Sequence, residues 1–169
     1  MAGFRQSVEA AVPALRRYAR ALTHDAELAD DLVQDTLERA LTKFHLWQPG
    51  SNLRAWLFTI MHNVFINQMR SQAANMTTGL DDEDVPLTAR PTQNDWLEVR
   101  DLQSALMRLP KEQRELLLLV GLEQMTYVEA SDVLGIPMGT VMSRLSRARE
   151  HLRALLTDGG AHGALKVVK

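Results

Sequence analysis

Residues 126–152 read TYVEASDVLGIPMGTVMSRLSRAREHL, and the fold turns on this stretch. Thr126-Tyr127-Val128-Glu129 has the spacing of a capping box, in which the Thr126 hydroxyl and the Glu129 carboxylate each take an orphan amide at a helix start. Gly135 is the expected left-handed C-cap, Ile136-Pro137 follows, and a last helix is expected from about Met138 to Leu156. A short capped helix, a tight turn and a longer helix make a helix-turn-helix pattern. Val141, Leu145, Ala148 and Leu152 share one stripe of the last helix and should pack on Val128, Ala130, Val133 and Leu134. Away from the stripe lie Thr140, Ser143, Arg144, Ser146 and Arg147, with Arg149 on a flank. Arg144, Arg147, Arg149 and Arg153 against Glu150 leave a net +3. An arginine fork can bond guanine edges or phosphates, and hydroxyls at a helix start can do either. A hairpin of helices with a solvated basic face would carry the same residues, so this segment alone leaves both readings open.

Upstream, Trp96, Val99, Leu102, Ala105, Leu106 and Leu109 keep helical spacing up to Pro110, which opens a helix from Lys111 to about Leu122. In the N-terminal part, Val12, Leu15, Ala19 and Leu22 recur at three- and four-residue steps. Asp25 is the expected N-cap of a second helix, with Glu27 in its first turn. That helix should carry Leu28, Leu32, Thr36, Leu37, Ala40, Leu41 and Phe44 on one side, with Leu32 and Leu37 turned to the core. Asp30, Asp31, Asp35 and Glu38 fall on the other. Gln48-Pro49-Gly50-Ser51 is a break. A third helix, from about Leu53 to Arg70, carries Trp56, Leu57, Ile60, Val64 and Phe65, with Trp56 in the core.

Residues 71–94, SQAANMTTGLDDEDVPLTARPTQN, have few large apolar side chains, two prolines and the run Asp81-Asp82-Glu83-Asp84. A stretch of that length without structure is unusual inside one domain. It reads as a mobile linker. The sequence therefore predicts an all-α protein of two small helical domains, residues 1–72 and 95–157, joined by an acidic linker, 73–94, and followed by a short Gly/Ala-rich tail, 158–169, with no appended regulatory domain. Neither strands nor an internal repeat are expected.

A length of 169 residues fits two such domains and excludes a large α/β barrel. Cysteine is absent, which removes disulfides, a thiol nucleophile and Cys-based metal sites. No apolar run approaches a membrane span, and Met1 to Arg20 is not patterned as a signal peptide, so the expected location is the cytoplasm. There is no Gly-rich phosphate loop, and His24, His45, His62, His151 and His162 show no metal spacing. The expectation is a non-enzyme with no catalytic residue, metal or cofactor. The formal net charge is −2, but residues 80–101 hold seven acids against Arg90 and Arg100, a net −5. That segment and the acidic second helix hide basic surfaces in the total. Weak overall charge predicts weak binding to free DNA.

The segments Leu109-Pro110-Lys111-Glu112-Gln113-Arg114-Glu115, Gly135-Ile136-Pro137-Met138-Gly139-Thr140-Val141 and Ser143-Arg144-Leu145-Ser146-Arg147-Ala148-Arg149 resemble region 4 of bacterial sigma factors, in the extracytoplasmic-function (ECF) branch of the sigma-70 family. Ala29-Asp30-Asp31-Leu32-Val33-Gln34-Asp35-Thr36 resembles region 2.2. Arg54-Ala55-Trp56-Leu57-Phe58-Thr59-Ile60 with Asn63 resembles regions 2.3 and 2.4. The likeness covers about residues 10–70 and 95–156, in family order and without a third folded domain between them.

The resemblance implies a sigma factor that binds core RNA polymerase and directs it to promoters. Asp30, Asp31, Gln34 and Asp35 would dock on the polymerase clamp, where carboxylates pair with arginines. The loop Phe44 to Asn52 would capture a base flipped from the minus-ten element, with Trp47 as a stacking platform worth roughly 1–3 kcal/mol per base and Pro49-Gly50-Ser51 permitting close approach. An ordinary core aromatic remains the alternative for Trp47. Asn63 can read a base edge, and Arg54, Asn67 and Arg70 would meet phosphate. The last helix would enter the major groove of the minus-thirty-five element through Thr140, Ser143, Arg144, Arg147 and Arg149. Met142 departs from the arginine common in the family there, which puts a carried-over base contact in doubt. The acidic linker could mimic RNA phosphates or serve only as a solvated tether. The family also implies control by an anti-sigma factor and a chain that is monomeric when free. A stand-alone helix-turn-helix regulator would leave Asp30–Thr36, the Trp47 loop and Asn63 unexplained. An adaptor that only binds an anti-sigma factor would give no promoter-dependent transcript.

Overall fold

Asp25 starts the second helix as its sequence suggests, its carboxylate accepting from the amides of Glu27 and Leu28 at 2.9 and 3.0 Å. In the computed structural model, which describes residues 2–76 and 94–159, every regular element is helical. They are α1 (Ala2–Thr23), α2 (Ala26–Thr42), a 3-10 turn (Phe44–Leu46), α3 (Leu53–Met76), α4 (Asn94–Arg108), α5 (Lys111–Leu117), a π-helical turn (Leu118–Leu122), α6 (Tyr127–Leu134) and α7 (Met138–Gly159). Most of the expected linker, with the run Asp81 to Asp84, and most of the tail lie outside the described residues.

α1 buries Phe4, Val8, Leu15, Tyr18, Ala19 and Leu22, a stripe at helical spacing that packs on α2. It continues through Pro13, which gives up one backbone bond. α2 buries Ala29, Leu32, Val33, Thr36 and Ala40, and the Thr36 hydroxyl is satisfied by the Leu32 carbonyl at 2.7 Å. Leu28, Leu41 and Phe44, expected on that side, are exposed. α2 stops at Thr42, so Phe44 leaves its stripe and belongs to the 3-10 turn. α3 buries Leu57, Phe58, Ile60, Met61, Val64 and Phe65 and runs on past Arg70 to Met76. Trp56 is half-buried at the edge of this core.

The two halves are packed on each other. One hydrophobic cluster includes Leu15, Leu22, Leu57 and Phe58 of the first half together with Leu109, Leu119, Met125 and Val133 of the second. Tyr18 and Phe58 meet edge-on at 5.1 Å inside it. A smaller cluster of Leu116, Ala130, Val141 and Leu145 holds α5, α6 and α7 together. Arg114 is buried at the seam. Its guanidinium donates to the Leu106, Leu109 and Met107 carbonyls at the end of α4 (2.9, 3.1 and 3.3 Å) and to the Leu22 carbonyl at the end of α1 (3.0 Å). Helix C-termini leave such carbonyls unpaired and partially negative, so one cation caps two helices from different halves. Burial pulls the Arg114 pKa down, and the nearby Glu115 charge opposes this.

The helix expected from Lys111 to about Leu122 changes character after Leu117. The Glu123 amide reaches back five residues to the Leu118 carbonyl at 3.0 Å, and Gln124 follows with φ +57. A non-glycine residue there carries strain. Val128 is 58% exposed, against expectation. At 3.6 residues per turn it stands across α6 from Ala130, which packs on Val141 and Leu145 of α7, so it cannot share that contact.

Candidate nucleic-acid interface

The helix-turn-helix is built as its residues dictate. The Thr126 hydroxyl accepts from the Glu129 amide at 3.1 Å, and the Glu129 carboxylate accepts from the Thr126 amide at 2.9 Å. The Thr126 backbone bond is the chief reason that the Glu129 carboxyl is held below the usual value; burial opposes it, and Asn52 adds to it. Gly135 adopts φ +66, and its amide bonds the Ser131 carbonyl at 2.9 Å. The Ser131 hydroxyl donates to the Ile136 carbonyl at 2.5 Å, which fixes the turn.

On α7, Val141, Leu145 and Ala148 are buried. Ser143, Arg147 and Arg149 are exposed, and Thr140 and Arg144 are half-buried on the flank. The Ser143 hydroxyl donates back to the Thr140 carbonyl at 3.3 Å. Met142 is 56% exposed on the outward arc, so an apolar side chain stands among these polar groups. α7 packs on α4, α5 and α6. Its outer face stays open to an approaching duplex.

The first half presents two surfaces. On α2, Asp30, Asp31 and Gln34 are exposed. Asp35 is half-buried and accepts from Gln68 Nε2 on α3 at 3.2 Å, so it also fixes α2 against α3. On α3, Asn63, Asn67 and Arg70 are exposed and, at helical spacing, line one side. Arg54 lies on the other side. It donates to the main-chain oxygen of Glu123 and approaches Glu123 Oε1 at 3.3 Å, with its guanidinium 5.7 Å from the Phe58 ring centroid. The structure therefore brings Asn63, Asn67 and Arg70 together and separates Arg54 from them.

Trp47 is half-buried in an aromatic nest. Phe4 of α1 stands 5.4 Å from the Trp47 ring, 5.6 Å from Phe44 and 6.0 Å from Trp56. The Trp47 Nε1 donor is buried without a partner. Beside it, Gly50 takes φ +91 and the Ser51 hydroxyl donates to the Gln48 carbonyl at 2.6 Å. Asn52 caps α3 through the Ala55 amide at 3.1 Å and donates across to Glu129 at 2.8 Å.

Sequence reasoning missed the seam between the halves. Glu123, whose side chain is fully buried, accepts from Arg17 Nε at 3.1 Å and from Arg17 Nη2 at 2.8 Å as well as from Arg54. Glu115, also buried, meets His62 Nδ1 at 2.6 Å. These partners come from opposite halves of the chain, and no local spacing pairs them.

Comparison with known proteins fits this layout. Residues 8–62 match the family described as the Sigma2 domain of PhyR, and residues 100–152 match Sigma-70, region 4. The ECF RNA polymerase sigma factor EcfG of Rhodopseudomonas palustris (strain TIE-1) is 43% identical over 157 residues, 93% of this chain and 87% of that protein. The fold superposes with TM-score 0.81 on the sigma factor RpoE from Bartonella quintana, solved in complex with the anti-sigma factor NepR. That match is at 39% identity and covers 93% of this chain and 98% of the other. CnrH, solved with the cytosolic domain of CnrY, gives TM-score 0.69 at 30% identity, over 92% and 88% of the two chains.

Proposed function

We propose that this chain, which belongs to the ECF family of RNA polymerase sigma factors, directs core polymerase to promoters by holding DNA at two separate surfaces. The family is one of non-enzymatic initiation factors. The observation that carries the proposal is the pairing of an exposed arginine-bearing helix in a helix-turn-helix with a distant helix bearing Asn63, Asn67 and Arg70. Thr140, Ser143, Arg144, Arg147 and Arg149 of α7 read the minus-thirty-five element in the major groove. Asn63, Asn67 and Arg70 hold the minus-ten strand from one side of α3, Arg54 on the other side meets a separate phosphate, and Trp47 with Ser51 receives an extruded base. The buried, unpartnered Trp47 Nε1 supports this reading, since it is a donor to which an acceptor could bond. Asp30, Asp31, Gln34 and Asp35 dock on core polymerase.

Two solved relatives are bound to an anti-sigma factor or to a cytosolic partner domain, which supports an anti-sigma partner here as well. Among the described residues no helix is long and apolar enough to cross a membrane. We place the chain in the cytoplasm with the polymerase, as a monomer when free. Copurification with core enzyme followed by run-off transcription tests the reading. The chain should associate with core and confer discrete start sites. Association without promoter-dependent transcripts would favour a pure adaptor instead.

A further inference from the structure

We propose that Met142 is a specificity-determining residue of α7 and selects a thymine in the minus-thirty-five element by packing on its C5-methyl group. The inference rests on the major-groove role of α7 given above and names what one of its side chains reads there. Met142 lies near the start of α7, which begins at Met138, and is 56% exposed. It belongs to neither hydrophobic cluster of the described residues. Single apolar side chains are common on protein surfaces, so the position decides what this one does. In a helix-turn-helix, the N-terminal residues of the second helix reach base edges. Met142 and Ser143 are both exposed there, about 100° apart around the helix, so one apolar and one polar side chain are offered to the groove.

The major groove presents donors, acceptors and one apolar group, the thymine methyl. Methionine has no donor, and its thioether is a weak acceptor. Against a guanine or cytosine edge it strips water from polar atoms and returns no comparable bond. Against the methyl it buries two apolar surfaces at once. Its flexible side chain can follow the methyl without a fixed geometry. The rest of this flank suits such a contact. Met142 shares a cleft with Ser146, Arg149, Glu150 and Arg153, two arginines against one carboxylate. Arg149 and Arg153 are exposed and follow Met142 toward the helix C-terminus on the same side. Arginines on backbone phosphates fix register without reading sequence, which leaves Met142 to face the bases. Thr140 carries a methyl of its own but is half-buried on the opposite flank, which makes it the rival for the same contact.

Deoxyuridine differs from thymidine in the base only by that methyl, so it tests the contact on the complete holoenzyme. A promoter is first selected from a duplex library with core polymerase and this chain. Each thymine of its upstream element, on either strand, is then replaced singly by deoxyuridine. Run-off transcription at limiting holoenzyme should fall about three- to fourfold at one position, the worth of one buried methyl, and little at the others. With Met142→Ala the fall at that position should vanish, while Met142→Leu, which keeps a large apolar side chain, should retain it. Both changes are at an exposed site and leave the fold intact. A selected element made only of G·C pairs, or equal transcription from every deoxyuridine template, would overturn the assignment. So would a fall that persists in Met142→Ala, which gives the methyl to another side chain such as Thr140. Scrambling the whole upstream element separates this inference from the reading beneath it. If scrambling leaves transcription unchanged, the major-groove role of α7 fails; if scrambling reduces it and deoxyuridine does not, only the role of Met142 fails.

Discussion

The two DNA-facing helices, α7 and α3, reach their surfaces by different means. α7 is positioned within its own half: by the Thr126 cap, the left-handed Gly135 and the stripe Val141, Leu145, Ala148 on a helix that packs against α4, α5 and α6. Arg147 and Arg149 on its outer side are exposed. α3 carries its polar groups on two sides, and Arg54 on one side is held by Glu123, 69 residues away. The α7 surface is thus built within one half, whereas on α3 Asn63, Asn67 and Arg70 are exposed and only Arg54 depends on how the halves are arranged.

Breaking the local device should have the largest effect. Leu145→Ala removes a fully packed side chain between α7 and the cluster of Leu116, Ala130 and Val141, and should cost about 2–5 kcal/mol in chemical denaturation. Arg147→Ala leaves the fold intact and should weaken promoter recognition by about 1–3 kcal/mol, with the loss confined to templates that carry the upstream element. Gly135→Ala forces a side chain into the left-handed region and should cost about 1–2 kcal/mol, read as a lowered Tm. Thr126→Ala removes the cap and should cost about 1 kcal/mol.

The smallest effect is a pH dependence. The Thr126 amide holds the Glu129 carboxyl below its ordinary value, so its stabilising contribution is full above the unfolded pKa and fades as pH falls through the folded one. The stability difference between the native chain and Glu129→Ala should be widest near neutrality and shrink below about pH 4, as denaturation across that range would show. A difference that stays constant with acid would remove the charged cap from the account.

The same contrast explains what could be read from residues alone. Asp25, Thr126, Glu129 and Gly135 were legible because caps and turns are written within four residues of the groups they satisfy. The apolar stripes of α1, α3 and α7 followed from helical period. Val128 was misplaced because it is apolar on a short helix with few residues to define a side. Phe44 was misplaced because its spacing continued a stripe that the chain had already left. In the sequence Glu123 merely follows the apolar stretch Leu116 to Leu122, and its meaning lies in Arg17 and Arg54. Arg114 likewise reads as an ordinary helix arginine until the ends of α1 and α4 converge on it.

The most direct test of the central claim is run-off transcription by purified core polymerase on one promoter whose minus-thirty-five and minus-ten elements are scrambled in turn. The account predicts a discrete transcript only when the chain is present, reduced by scrambling either element. Arg147→Ala should add little on the template already lacking the upstream element, and Asn63→Ala little on the template already lacking the downstream one. Transcripts of equal strength from core alone, or from a template with both elements scrambled, would contradict it.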